Sequence, residues 1–235
     1  MCGRFSLTTA PEAMRALFDY ENLPNLAPRF NVAPTQPVAT VRLAAGGRRE
    51  LVLMRWGLVP SWANDPSIGA RMINARAETA AEKPAFRDAF RRHRCLVPAD
   101  GFYEWREEEG RRQPFRIGMK GGGAFAFAGL WERWTAKAPA PALGLAAGEG
   151  VETVTIVTTE ANDKLRPIHE RMPVILPPAD YAAWLDVEAC PPERARALLK
   201  PYPVEPMAFY RVGMRVNNVR NDDRDCIVPL RAAAG

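Results

Sequence analysis

The sequence predicts an α+β fold, a mostly antiparallel β core with helices at its periphery. Three observations lead there. The run VETVTIVTT at 151–159 is dominated by β-branched residues, which favour a pleated, half-buried backbone. Several other strand-like runs are joined by glycine or charged turns, and the helical segments are short and marginal. A chain of 235 residues, 47% hydrophobic, can bury a substantial core, so one domain over 1–235 is expected.

In chain order, PEAMRALF at 11–18 reads as a short amphipathic helix with Thr9 as its N-cap. Residues 29–37 read as proline-punctuated loop. Val38–Leu43 and Leu51–Trp56 form a hairpin pattern, and 59–78 a long loop. A helix is expected over Lys83–Arg92, with Pro84 near its first position and Phe86 and Phe90 on one face. Arg94–Arg106, Pro114–Met119 and Ala124–Trp134 read as strands. Residues 135–150, rich in Ala, Pro and Gly, read as an exposed, flexible loop. After the strand at 151–159, an irregular segment at 160–170 leads to a strand at Val174–Leu176 and helices at Ala179–Asp186 and Pro192–Leu199. Ala208–Val212 is extended, Arg220–Asp225 a polar turn, and 229–235 a tail.

The formal net charge is +5 and twenty-seven of the thirty-two basic residues are arginine. Arginine forks suit phosphates and stack on bases, which is compatible with nucleic acid; the same bias also follows from genomic base composition. The four cysteines, Cys2, Cys95, Cys190 and Cys226, form no CxxC pair, and His93 and His169 are the only histidines, so no zinc spacing is present. Neither a signal peptide nor a membrane span is suggested, and a cytoplasmic location with reduced thiols is expected.

Cys2 stands directly behind Met1. Loss of Met1 would give a 1,2-aminothiol, whose α-amine, with an ordinary pKa near 7.7–8.0, is the better amine nucleophile in water than a lysine. With an aldehyde it would form a Schiff base, and the neighbouring thiol could close a five-membered thiazolidine. The alternative is a small residue that only permits methionine removal. In MINARAE (72–78), Asn74 and Arg76 share one side of an extended segment, where Arg76 could take a phosphate, or they stand on a solvated loop. Glu104, between Tyr103 and Trp105, would have a raised pKa if it points inward and none if the aromatics do. His169 lies between Arg166 and Arg171, cations that would depress its pKa, and could relay a proton or simply pack.

Taken together, MCGRF, RFNVAPTQ, MRWGLVPSW, INARAET, FRDAFRRHRCLVPADGFYEW, FAFAGLWE, TIVTTEAND, IHERMPVIL and the late VNN resemble, in order and spacing, the SOS response-associated peptidase family. The resemblance runs from residue 2 to about 228. It implies a barrel-like β core and a protein that binds single-stranded DNA containing an abasic site and crosslinks to it through Cys2, with no metal or organic cofactor, as a monomer. Residue by residue, it implies catalytic work by Cys2, Asn74, Glu104 and His169. It implies phosphate contacts by Arg4, Arg76 and Arg171, a pocket wall at Thr158, and wedges against bases at Pro34 and Trp62. Where some members place a second aromatic after that tryptophan, this chain has Ala63. An N-terminal-nucleophile hydrolase of the glutamine amidotransferase type also exposes Cys-Gly, but such sites use an Asn-Gly pair that this chain lacks; a noncovalent single-stranded-DNA module is the other alternative.

Overall fold

The computed structural model describes residues 2–22 and 24–230, so Met1 and all of the expected tail beyond 230 lie outside the described residues. The strands, in chain order, are β1 (Phe5–Leu7), β2 (Arg29–Val32), β3 (Pro37–Leu43), β4 (Arg49–Trp56), β5 (Asn74–Arg76), β6 (Arg94–Ala99), β7 (Gly101–Glu108), β8 (Arg111–Met119), β9 (Phe125–Thr135), β10 (Gly150–Glu160), β11 (Arg171–Pro173), β12 (Ile175–Leu176) and β13 (Met207–Arg211). The α-helices are α1 (Pro11–Phe18), α2 (Arg87–Arg92), α3 (Tyr181–Leu185) and α4 (Pro192–Ala197).

Five strands close on themselves. The hairpin β3–β4 pairs from Pro37 opposite Arg55 to Leu43 opposite Arg49. Strand β4 then runs parallel to β10, β10 antiparallel to β9, β9 antiparallel to β6, and β6 returns to β3 where Val41 faces Leu96. The fold is thus α+β with a closed five-stranded, mixed barrel, and closure leaves these strands no free edge. One alternating set of residues, including Val38, Met54, Trp56, Val97, Phe127, Val154 and Ile156, fills the barrel. Gly129 belongs to this set, because a Cβ there would stand 2.8 Å from the Cys95 sulfur. The other set, including Val41, Leu51, Leu96, Leu130 and Val157, packs beneath the helices through Phe18, Phe90, Tyr181 and Trp184.

A second, antiparallel sheet in the order β13-β8-β7-β1-β2 lies across the barrel and shares its core through Phe5, Phe102, Phe115 and Ile117. The chain passes from barrel to sheet at Asp100-Gly101. The buried Asp100 carboxylate accepts from Ser6 Oγ (2.7 Å), Thr8 Oγ1 (2.8 Å), Thr9 N (3.0 Å) and Arg116 Nη2 (3.0 Å). Gly101 leaves room beside it for the Arg116 guanidinium, which would stand 2.5 Å from a Cβ there and have to shift.

Several expectations are corrected. Helix α1 has the expected bounds, but Ala10 occupies its N-cap without a side-chain bond, because the Thr9 hydroxyl is turned to Asp100. Residues 29–32 are a strand rather than loop: β2 pairs with β1, and the Asp222 carboxylate accepts from the backbone N–H of Phe30 and Asn31. The helix expected from Lys83 is regular only from Arg87, with turns before it, although Phe86 and Phe90 are both buried as expected. The 59–78 loop contains a 3-10 turn at Pro66–Arg71 and the short strand β5. The 135–150 segment is exposed over most of its length, as expected, but it also extends the β9–β10 hairpin: Ala136 N donates to Glu149 O (2.8 Å), Ala140 N donates to Leu145 O (2.8 Å), and Ala136 and Ala140 are buried against Val59 and Trp134. No helix among the described residues is long and apolar enough to cross a membrane.

Candidate active site

Four separate pieces of chain meet where the N-terminus enters β1. Cys2 and Arg4 precede that strand. Asn74 comes from β5, which pairs parallel with β10 at Ile156 opposite Asn74 and Thr158 opposite Arg76. Alternation turns Ala75 into the core and leaves Asn74 and Arg76 on the other side, as the spacing predicted. Glu104 comes from β7. His169 is delivered by a tight pair of turns in which the Asn162 carboxamide oxygen accepts from Leu165 N (3.1 Å) and His169 N donates to Leu165 O (3.0 Å).

Asn74 Nδ2 donates to the Cys2 carbonyl at 2.9 Å, which fixes the main chain of the second residue. The Asn74 Oδ1 atom is buried and accepts no hydrogen bond among the described residues. Cys2 itself has no exposed surface. Burial, reinforced by the charge of Glu104, pushes its thiol well above the ordinary cysteine value, so at neutral pH the sulfur carries its proton.

Glu104 is only 4% exposed, and burial raises its carboxyl to about 7. Tyr103 is also buried, its hydroxyl donating to Phe30 O (2.6 Å), so β7 is covered on both faces here and the choice between carboxylate and aromatics does not arise. A carboxyl poised near neutrality can take and return a proton within one reaction. His169 is half-buried, and its pKa is lowered, chiefly by burial rather than by the flanking arginines; Arg166 is turned to Asp163 (3.6 Å). His169 Nδ1 stands 2.9 Å from Arg171 N and 3.2 Å from Arg171 O, contacts that hold the ring at Nδ1.

An open cleft of about 420 Å³ is lined by Arg4, Glu104, Trp105, Arg112, His169 and Asn217. Arg4 is held from within: its Nη1 donates to Asn31 Oδ1 (2.8 Å) and Val216 O (2.6 Å), and its guanidinium lies 5.8 Å from the Trp105 ring. Arg76, Thr158 and Arg171 form a separate group on β5, β10 and β11. Arg171 is engaged by Glu78 through two bonds, 2.7 and 3.0 Å, and donates to Thr158 O at 2.7 Å, while Arg76 is exposed opposite Thr158. The guanidinium expected to hold a phosphate is therefore already bound to a carboxylate. Pro34 and Trp62 do not line the cleft. Pro34 is half-buried in a turn where Thr35 N donates to Trp56 O (2.8 Å), and Trp62 stands 53% exposed on the following loop. Ala63 is buried, its carbonyl accepting from Trp134 Nε1 (2.8 Å), so the position after Trp62 faces the protein interior.

Sequence reasoning did not select Trp105, Arg112 or Asn217 as site residues, nor Asn31 and Glu78, which fix the two arginines. Trp105 and Asn217 fall within the quoted FYEW and VNN motifs; Arg112, at the start of β8, follows an undistinguished charged stretch of sequence. Among the described residues no group of three His, Cys, Asp or Glu side chains could hold a metal ion, and the four cysteines are buried free thiols.

The family model for SOS response associated peptidase matches residues 1–219. The chain belongs to this family. Among relatives within it, the abasic site processing protein YoaM of Bacillus subtilis is 39% identical, the match covering 97% of each chain. The abasic site processing protein HMCES of Xenopus tropicalis is 30% identical over 98% of this chain and 78% of its own. A crystal structure of a Bacteroides thetaiotaomicron protein shares the fold at a TM-score of 0.84 with 26% identity, covering 98% of this chain and all of the other.

Proposed function

We propose that this protein processes abasic sites in single-stranded DNA, capturing the lesion covalently through Cys2 once Met1 has been removed. The observation that carries this reading is the juxtaposition of Cys2, pinned through its carbonyl by Asn74, with a buried carboxyl near neutrality in a cleft bordered by arginines. The names of its relatives agree with it.

An abasic sugar is mostly a closed hemiacetal, and its aldehyde must be released before an amine can attack. In this reading, with Nδ1 of His169 accepting from the Arg171 N–H, ionised Glu104 takes the hydroxyl proton and passes it to the ring oxygen, which the Nε2–H of His169 holds by a hydrogen bond while keeping its own proton; Glu104 is then free to take the proton that the attacking amine sheds. The Cys2 amine then adds to the aldehyde carbon, and loss of water, with Glu104 now the acid, leaves the imine. The thiol adds across the C=N bond, its proton passing to nitrogen, and the thiazolidine closes. A protonated sulfur suits this order, since the amine attacks first. It weighs against a hydrolase that would need Cys2 as a thiolate. Arg76 and Arg4 supply positive charge for the backbone, and Trp62 and Pro34 meet the neighbouring bases. Release of Met1 by the same carboxyl would make the self-peptidase step a single turnover. The protein works as a monomer, in the cytoplasm, without metal or organic cofactor.

The test is incubation with an oligonucleotide carrying one abasic site, followed by a denaturing gel and intact-mass measurement. A covalent adduct that requires Cys2 is expected, on protein lacking Met1. No adduct, or an adduct retained by Cys2→Ala, would refute the reading.

A further inference from the structure

This inference rests on the proposed capture of single-stranded DNA and concerns how the strand is held. Of the arginines in and near the cleft, Arg4 is half-buried and tied to Asn31 and Val216. Arg171 lies outside the lining and is bound by Glu78. Arg112 differs from both. It lines the cleft with Glu104 and His169, it is exposed, and among the described residues it makes no hydrogen bond or ion pair. Its cross-strand neighbour on β7 is Glu107, yet that carboxylate does not close on it. The ladder places Trp105 opposite Pro114 and Glu107 opposite Arg112, so Trp105 and Arg112 share one face as diagonal neighbours. The Trp105 indole is itself pinned by its bond to Asn217 Oδ1 at 2.7 Å. A fixed aromatic wall with an unpaired guanidinium beside it, at the mouth of a cleft whose acid is half-neutral at pH 7, is suited to a phosphodiester.

We propose that Arg112 is a backbone-phosphate ligand of this cleft, holding a phosphate that flanks the lesion. The fork of the guanidinium meets two phosphate oxygens, and its charge is available without breaking an existing pair. The second, weaker consequence is electrostatic: Arg112 favours the ionised form of Glu104 and disfavours the charged form of His169.

The test uses an oligonucleotide with a tetrahydrofuran abasic analogue, which has no aldehyde and so reports noncovalent binding. For wild type and Arg112→Gln, the dissociation constant is measured against salt concentration. One lost phosphate contact lowers the slope of log K against log salt by about 0.7 on a single strand. Arg112→Lys is expected to retain most of that slope. Methylphosphonate linkages placed one at a time around the analogue then locate the contact: one linkage should weaken wild type several-fold and leave Arg112→Gln unaffected, while the others weaken both alike. An unchanged slope in Arg112→Gln, or a pattern of linkage sensitivity identical to wild type, overturns the proposal. A wild-type protein that binds this probe but forms no adduct with a true abasic site would instead refute the parent reading, leaving the role of Arg112 to be decided by the slope.

Discussion

Glu104→Gln separates what the buried carboxyl does for chemistry from what it costs the fold. Its pKa is raised from 4.5 to about 7 by burial. At about 1.4 kcal/mol for each tenfold change, this corresponds to about 3 kcal/mol of preference for the protonated form in the folded state. The sign follows from proton counts. Between pH 4.5 and 7 the folded chain holds this proton and the unfolded chain has released it, so stability falls as pH rises through that window and levels off above 7. The neutral glutamine carries no such penalty. Urea denaturation of both proteins should give similar stabilities near pH 4.5, with the variant more stable by about 2–3 kcal/mol at pH 8. Adduct formation should move the other way, slowing by about 10²–10⁴ at pH 7. A stability difference that does not change with pH, or a variant less stable than wild type at pH 8, would refute the account of Glu104 as a desolvated acid.

Asp100→Ala should destabilise the fold by about 3–5 kcal/mol, because it removes the carboxylate that a half-buried arginine and several hydroxyl and backbone donors share; calorimetry should show the melting temperature falling by roughly 10 °C. Gly57→Ala should cost about 3 kcal/mol, since Gly57 has φ +124° and an added Cβ would stand 2.5 Å from Gly69 O; a Trp62 emission change would show the loop has shifted. Glu78→Gln should cost about 1 kcal/mol at pH 7 by weakening the bidentate pair with Arg171. The Glu78 carboxyl is lowered by that hydrogen bond, so the difference from wild type should fade as pH drops below the ordinary 4.5, and thermal melts at pH 3.5 and 7 would show this.

What was legible in the sequence was whatever local pattern decides. The β-branched run of β10, the β3–β4 hairpin and the bounds of α1 follow from periodicity and turn chemistry. Strand β2 was not legible, because prolines surround it, it pairs with the three-residue β1 across helix α1, and its N–H groups are held by Asp222, almost two hundred residues away. The packing of 135–150 depends on Trp134 and Val59 accepting small alanines, which low complexity disguises. In the site, residue types flagged Cys2, Asn74, Glu104 and His169 only as candidates and the family resemblance grouped them; the structure brings the four to one place. Alternation could not orient Glu104, since β7 is buried on both faces. Nor could it reveal that Arg171 is engaged by Glu78 or that Arg112 reaches the cleft, since both depend on tertiary placement.

The enclosure of Cys2 bears on chemical survival. Oxidants attack thiolates, and a sulfur driven to the sulfenic state could no longer close a ring. In the chain that still carries Met1 this sulfur has no exposed surface and is held protonated, which shields it from peroxides and alkylating reagents. The same surroundings that delay its role until an aldehyde arrives also keep it reduced while it waits.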